Sequence, residues 1–289
     1  MWRSRSVSVV LPTYNEKDSI AGVIRGFEAL GVVDEIVVVN NNAAPGTSEE
    51  VAGTSAREVV ETTQGYGAAI RRGLREATGD LIAVCEPDGT FDPDDLFKLL
   101  TYTKESDFVV GSRTVSTFIW DGANMGWFLQ FGNWTVAKMI EASFNTTSLS
   151  DVGCTFRVIT RELAQAMEPE FTHTGSAFGL EMLLLATRRH VRVVQIPVNY
   201  LPRVGESSVT GDFRKTLSLG FKMIGMVGRA RASRVPPLPV QYRRPSTPGD
   251  PTTTDIKDTT DTSDTSDTSD TSETPAVTPD ASTVSENAR

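Results

Sequence analysis

In its first third the chain alternates short, unbroken apolar runs with longer segments in which apolar residues recur every three to four positions. The runs at 7–11, 35–39, 57–61, 80–85 and 108–110 read as strands. Between them, 17–30 carries Ile20, Val23, Ile24, Phe27 and Leu30 at helical spacing and stops at Gly31, and 68–77 reads as a helix stopped by Gly79. Asp92, Asp94 and Asp95 open another helix, where negative charge suits the amino-terminal end of the dipole. Strands that are apolar throughout, rather than at every second position, are buried on both faces. Alternating with helices, they predict an α/β domain with a mostly parallel, doubly covered sheet. Ligands of such sheets bind beyond the carboxyl ends of the strands.

The second half is less regular. A helix rich in aromatics is predicted over 126–144 and another over 175–189, with Phe178, Met182, Leu183, Leu185 and Ala186 on one side. A strand over 191–200 is interrupted by Pro197, and a last helix covers 212–229. From residue 235 the composition shifts to Pro, Thr, Ser and Asp, and 261–272 repeats Asp-Thr-Ser four times. A segment with so little to bury cannot offset its ordering entropy, so 235–289 is expected to be a disordered tail behind one domain at 1–234.

Charge narrows the function. The net charge of −9 lies mostly in the tail, which has ten acids and four bases against 27 and 24 in the body. A nearly neutral body argues against a nucleic-acid partner. The two cysteines, Cys85 and Cys154, make no disulfide framework. No window reaches the roughly 18 uninterrupted apolar residues of a spanning helix. The residues before the first strand hold no apolar leader core. A cytoplasmic protein able to touch a membrane surface is expected.

The candidate chemistry falls at strand exits. Glu86 and Asp88, in Cys85-Glu86-Pro87-Asp88-Gly89, follow the fourth strand. Two carboxylates at i and i+2 there can face one Mg²⁺ or Mn²⁺, which takes one or two protein carboxylates and fills its shell with water and phosphate oxygens. The plainer reading is two acids in a Pro-Gly turn. The first strand ends Leu11-Pro12-Thr13-Tyr14-Asn15-Glu16; Tyr14 can stack on a base and Glu16 can accept from ring nitrogens, or the segment is a turn and helix cap. Asn40-Asn41-Asn42 after the second strand can reach a ribose or form an ordinary turn. Gly65-Tyr66-Gly67 opens a helix, where glycines let backbone approach a ligand and the helix end favours phosphate. Arg113, after the fifth strand, and Arg203 can clamp phosphate, or serve as surface ion-pair partners. Asp151, in Ser150-Asp151-Val152-Gly153, is a candidate general base or substrate-orienting acid, or a turn residue.

Taken in order, these motifs resemble family 2 glycosyltransferases of the GT-A fold. With Gly111-Ser112-Arg113, Ser150-Asp151-Val152-Gly153-Cys154, and Pro197-Val198-Asn199-Tyr200 leading to Arg203, Gly205 and Ser207, the chain is similar to the branch that uses polyprenol phosphate, over roughly 6–215. The resemblance implies that Pro12, Tyr14 and Glu16 hold the base and ribose of a nucleotide-sugar donor, with Asn40, Asn42 and Gly67 beside them. It implies that Glu86 and Asp88 bind the metal and that Arg113 and Arg203 neutralise donor diphosphate or acceptor phosphate. Three positions depart from the pattern: Asn40 stands where an Asp is common, Glu86 replaces the first Asp of Asp-x-Asp, and Ser208 falls where many relatives carry Lys.

The implied reaction moves a hexose, with inversion, from a nucleotide diphosphate to a polyprenyl monophosphate. A phosphate monoester has its second pKa near about 6, so it attacks without a strong base, and positioning is the role expected of Asp151. Two other readings stay open: the same fold acting on a sugar hydroxyl, with Asp151 as base, and a catalytically inactive scaffold. A lipid acceptor requires a membrane surface. The last helix carries Phe213, Leu217, Phe221, Ile224 and Val227 as an apolar stripe, with Arg214, Lys215, Lys222 and Arg229 opposite, the pattern of a peripheral interfacial helix or of a helix packed on the core. The aromatic segment 118–131 is a second candidate for acceptor contact.

Overall fold

The computed structural model describes residues 1–123, 127–204 and 213–233. Seven strands form one sheet: β1 (Val7–Thr13), β2 (Glu35–Asn40), β3 (Arg57–Val60), β4 (Leu81–Val84), β5 (Phe108–Ser112), β6 (Arg157–Thr160) and β7 (Val193–Pro197), in the order β3-β2-β1-β4-β6-β5-β7. All pairings are parallel except those of β6, which runs against both β4 and β5. The helices are α1 (Lys17–Ala29), α2 (Thr47–Ala52), α3 (Tyr66–Glu76), α4 (Asp95–Thr101), α5 (Trp127–Phe144), α6 (Arg161–Met167), α7 (Phe178–Arg188) and α8 (Phe213–Ala232).

This is the α/β architecture that the apolar runs predict. Val9, Val10, Leu11, Val37, Val38, Val39, Ile82 and Ala83 are fully buried, as strands covered on both faces require. α1 turns Ile20, Val23, Ile24 and Phe27 inward. α3 lies against β1 and β2 so closely that a Cβ on Gly73 would fall 2.1 Å from Val10 Cγ1. The order reverses at β1. β2 and β3 extend to one side of it and β4 to the other, so right-handed crossovers send α3 to the face opposite α1 and α2 and open a crevice at the carboxyl ends of β1 and β4.

The second half departs from expectation. β6, α6 and the short α2 were not foreseen. β6 escaped because four residues led by an arginine carry too little periodicity, and its antiparallel direction is set by the strands on either side. The strand expected over 191–200 ends at Pro197; beyond it Tyr200 bridges to Phe91 and Ile119 instead. The helix expected over 175–189 is Phe178–Arg188. Residue 126 at the start of one predicted helix, residue 212 at the start of another, Gly205, Ser207 and Ser208, and the whole tail from 235 lie outside the described residues. Among those described, no helix is long and apolar enough to cross a membrane.

Candidate active site

The crevice collects the sequence candidates from separate segments. At the β1 exit the backbone turns back on Glu16, whose Oε2 accepts from the amides of Tyr14 (2.7 Å) and Asn15 (2.9 Å) and from Thr13 Oγ1 (3.2 Å). That oxygen builds the loop; Oε1 faces Arg203 Nη2 at 3.7 Å. Pro12 is buried within β1, paired with Val39, while Tyr14 stands exposed at the rim.

Asp88 lies at the centre, 1% exposed. Its Oδ1 accepts from Thr90 N (2.9 Å) and Thr90 Oγ1 (2.6 Å). Its Oδ2 is buried without a hydrogen bond and faces Arg203 Nη2 at 2.9 Å as an ion pair. The amide of Val204 donates to the Asp88 carbonyl, so the Arg203 loop is tied to the acid by backbone as well as by charge. Glu86 is held in the same crevice. Burial, then the neighbouring Asp88 charge, push its carboxyl up to about 7, against the pull of Arg203 and Arg113. Two adjacent acids, one reluctant to ionise and the other balanced on its free edge by a single guanidinium, fit a divalent cation. Among the described residues no group of three metal-ligating side chains converges, so the chain offers two carboxylates and leaves the rest of the shell to substrate and water.

The loops after β2 and β3 are fastened by Asn41, which the sequence offered only as one of three adjacent asparagines. Asn41 is 4% exposed; its Nδ2 donates to the carbonyls of Glu61 and Thr63 (2.8 Å each) and its Oδ1 accepts from Gly65 N (2.8 Å). One side chain thereby joins the exits of β2 and β3 to the start of α3. Asn40 donates to Glu58 Oε1 (2.8 Å) and accepts from Ala43 N (2.8 Å). Asn42 is exposed with φ +61°, the left-handed region that Asn tolerates. The glycines of α3 answer to the chain itself: a Cβ on Gly65 would fall 2.3 Å from Thr174 O, and one on Gly67 2.6 Å from Phe178 Cβ. Tyr66 between them points inward. Its hydroxyl is buried beside Thr155 and Glu86, and burial followed by the Glu86 charge holds the phenol well above its usual range.

Arg113 and Asp151 form a closed pair. The guanidinium donates from Nε to Oδ2 (2.9 Å) and from Nη2 to Oδ1 (3.1 Å), while Arg113 N and Gly153 N add a third and fourth donor at 3.0 and 2.9 Å. Asp151 is fully buried. Burial alone would raise its carboxyl, yet the Arg113 charge and these donors pull it below the usual range. A carboxylate with four donors on it has no free lone pair aimed at a substrate proton, so what it does here is orient Arg113. The guanidinium also stacks over the Tyr200 ring, 5.3 Å from its centre. The same pair rests on Gln195, whose only signal in the sequence is a polar residue inside the apolar run of β7.

On α8 the predicted stripe is divided between core and surface. Met226 and Val227 are buried and Met223 and Ala230 pack on the core, whereas Phe221 is 66% and Ile224 39% exposed, beside exposed Lys222, Arg229 and Arg231. α8 packs on α5, where Phe131 and Trp134 are exposed and stacked at 6.3 Å. The side chains of Trp127, Phe128, Phe213, Arg214, Lys215 and Leu217 lie outside the described residues.

Comparison with known proteins adds three findings. The profile of "Glycosyl transferase family 2" matches residues 8–167. An uncharacterized glycosyltransferase of Mycobacterium tuberculosis is 31% identical over 218 residues, 73% of this chain and 93% of the relative. The low-salt glycan biosynthesis hexosyltransferase Agl6 of Haloferax volcanii is 28% identical over 71% of this chain and 50% of its own length. Among solved structures, glucosyl-3-phosphoglycerate synthase from Mycobacterium tuberculosis superposes with a TM-score of 0.64 in complex with UDP, at 17% identity, covering 80% of this chain and 82% of the other. The same enzyme bound to Mn²⁺, UDP-glucose and phosphoglyceric acid gives 0.63 at 18% identity. Likeness at this identity speaks for the fold.

Proposed function

The chain belongs to glycosyl transferase family 2, and on that premise we propose that this glycosyltransferase moves a hexose from a nucleotide-diphosphate sugar to a polyprenyl monophosphate, with inversion and with Mg²⁺ or Mn²⁺. In the step, an oxygen of the acceptor phosphate attacks the anomeric carbon as the bond from that carbon to the donor diphosphate breaks. The bonding pair leaves with the nucleotide diphosphate.

Glu86 and Asp88 would hold the cation, which neutralises charge on the leaving diphosphate. The UDP, Mn²⁺ and Mg²⁺ complexes of the structural neighbours support that assignment. Arg203, already paired with Asp88, is placed for the donor diphosphate. Arg113, on the far side of the crevice under Tyr200, is assigned to the acceptor phosphate. Tyr14, Glu16, Pro12, Asn40, Asn42 and Gly67 line or build the donor side.

The observation that carries the acceptor class is the enclosure of Asp151. The best-placed base is fully occupied, which favours an acceptor that is already ionised at neutral pH. A second reading, transfer to a hydroxyl of a phosphorylated small acid or glycan, draws on the phosphoglyceric acid of the solved neighbours and the glycan named for the Haloferax relative. A lipid acceptor also calls for peripheral attachment at the cytoplasmic face of a membrane. Exposed Phe221 and Ile224 beside Lys222, Arg229 and Arg231 support this as an apolar ridge with cations for anionic lipid.

The test is transfer from UDP- and GDP-sugars with Mn²⁺ or Mg²⁺ to polyprenyl phosphate, phosphoglyceric acid or free sugars. Glycolipid is the expected product. Transfer only to the soluble acceptors would overturn the lipid assignment, and failure to bind any sugar nucleotide would point to the scaffold reading.

A further inference from the structure

Gln195 is a polar side chain between Val194 and Ile196 in β7, and backbone groups take up its amide. Its Oε1 accepts from Ser150 N (2.5 Å) and Asp151 N (3.1 Å), with Ser150 Oγ at 3.1 Å. Its Nε2 donates to Asp151 O (2.6 Å) and Gly111 O (3.3 Å). One amide therefore holds both backbone ends of Asp151 and ties them to β5, two residues before Arg113. Gln195 is half-buried, and withdrawing its amide from water is unfavourable unless it is bonded, whereas an aliphatic residue would serve the strand as well. What the amide adds is the position of one loop residue.

That residue in turn positions another. Asp151 directs two nitrogens of Arg113, and a second contact, Ser112 Oγ to Ser150 Oγ at 2.7 Å, joins the same loop to β5. Gly153 is confined in the same place: a Cβ there would fall 2.9 Å from Arg113 Nη2 and 3.0 Å from Asn133 Oδ1. The loop is thus shaped around the guanidinium. We propose that Gln195 is a positioning residue of the transferase site, setting the Asp151 carboxylate and, through it, the Arg113 guanidinium in the orientation that receives the acceptor phosphate. The proposal rests on the assignment of Arg113 to the acceptor.

Gln195→Met keeps the length and packing of the side chain and removes its hydrogen bonds. Gln195→Glu keeps the accepting half. Partners one shell behind a site typically carry about 10- to 100-fold in activity. With polyprenyl phosphate as acceptor, Gln195→Met is expected to lower kcat/KM for the acceptor by about that range and Gln195→Glu by less, while KM for the nucleotide sugar and its Mn²⁺-dependent thermal shift stay unchanged. The double variant Gln195→Met/Asp151→Asn is expected to be no less active than Asp151→Asn alone, because both act through one chain of contacts.

A readout independent of activity is the Arg113 Nε–H resonance of ¹⁵N-labelled protein, assigned by its disappearance in Arg113→Lys. Held on Asp151, it is expected to exchange slowly in the wild type and to exchange fast or shift upfield in Gln195→Met. An unchanged resonance, additive losses in the double variant, or unfolding of both Gln195 variants would overturn the proposal and leave Gln195 a strand residue. If the wild type transfers nothing to polyprenyl phosphate, the acceptor assignment falls, while loss of the resonance in Gln195→Met still upholds the positioning.

Discussion

The two halves of the crevice are built on different principles. On the β1–β4 side the turns supply most of their own hold, Glu16 by Thr13, Tyr14 and Asn15, Asp88 by Thr90 and Asn40 by Ala43, and the long-range partner Arg203 is added to Asp88. On the β5–β7 side the holding residues are remote. Arg113 meets Asp151 across 38 positions, and Gln195 reaches back 44 to the Asp151 amide. Local turns form their own ligand groups as they form. The remote pairs bear loop-closure entropy that only the finished sheet offsets. The β1–β4 side is thus expected to tolerate side-chain loss without unfolding, and the β5–β7 side to lose geometry and stability together.

The sharpest way to break this contrast is Asp88→Ala. Turnover should fall by roughly 10³-fold, the scale of losing a key electrostatic group, and the Mn²⁺-dependent thermal shift with UDP-sugar should vanish while the apo fold persists. A retained shift would move the metal elsewhere. Next comes Asp151→Ala, which leaves a buried guanidinium unpaired and should cost about 3–5 kcal/mol of stability in denaturant titration without abolishing the Mn²⁺–UDP-sugar shift. Loss of that shift as well would erase the division into halves.

A pH series sharpens the β1–β4 side. Glu86 ionises at about 7 in the folded chain against an ordinary 4.5, so the folded state holds its proton more tightly. The stabilisation this lends is complete below 4.5 and is lost as the pH rises through 7. The Tm of the metal-free protein should therefore fall between these values, by an amount on the order of 2–3 kcal/mol in stability. Mn²⁺ with nucleotide should reduce the fall, and Glu86→Gln should flatten the curve. The smallest effect is expected for Asn40→Asp. It sets a second carboxylate against Glu58 and should cost about 1 kcal/mol or less at neutral pH by chemical denaturation; a stabilised variant would mean that the Asn40–Glu58 contact is not formed.

Legibility follows the same divide. β1 to β5 and the acids after β4 could be read from the chain because burial on both strand faces leaves an uninterrupted apolar run and the turn residues follow directly. Asn41 was legible only as one of three asparagines. Which of them is buried depends on where β3 and α3 end, and those ends meet only in the folded crevice. Gly65 and Gly67 signalled a close approach correctly, but the partner they meet is the 173–178 loop, more than a hundred residues on. The stripe of α8 divides, Phe221 and Ile224 exposed and Val227 buried, because periodicity finds an apolar face without saying which neighbour it meets.

By itself the sequence determined the α/β class, the parallel first half, the strand exits that carry chemistry and the family, because each is written in neighbouring residues and short-range periodicity. Only the tertiary structure decided that Asp151 is sealed beneath Arg113, that Arg203 lies on Asp88, that β6 runs antiparallel and that Gln195 holds the Asp151 loop. Those are contacts between segments far apart in the chain, and their energies exist only once the sheet has brought the segments together.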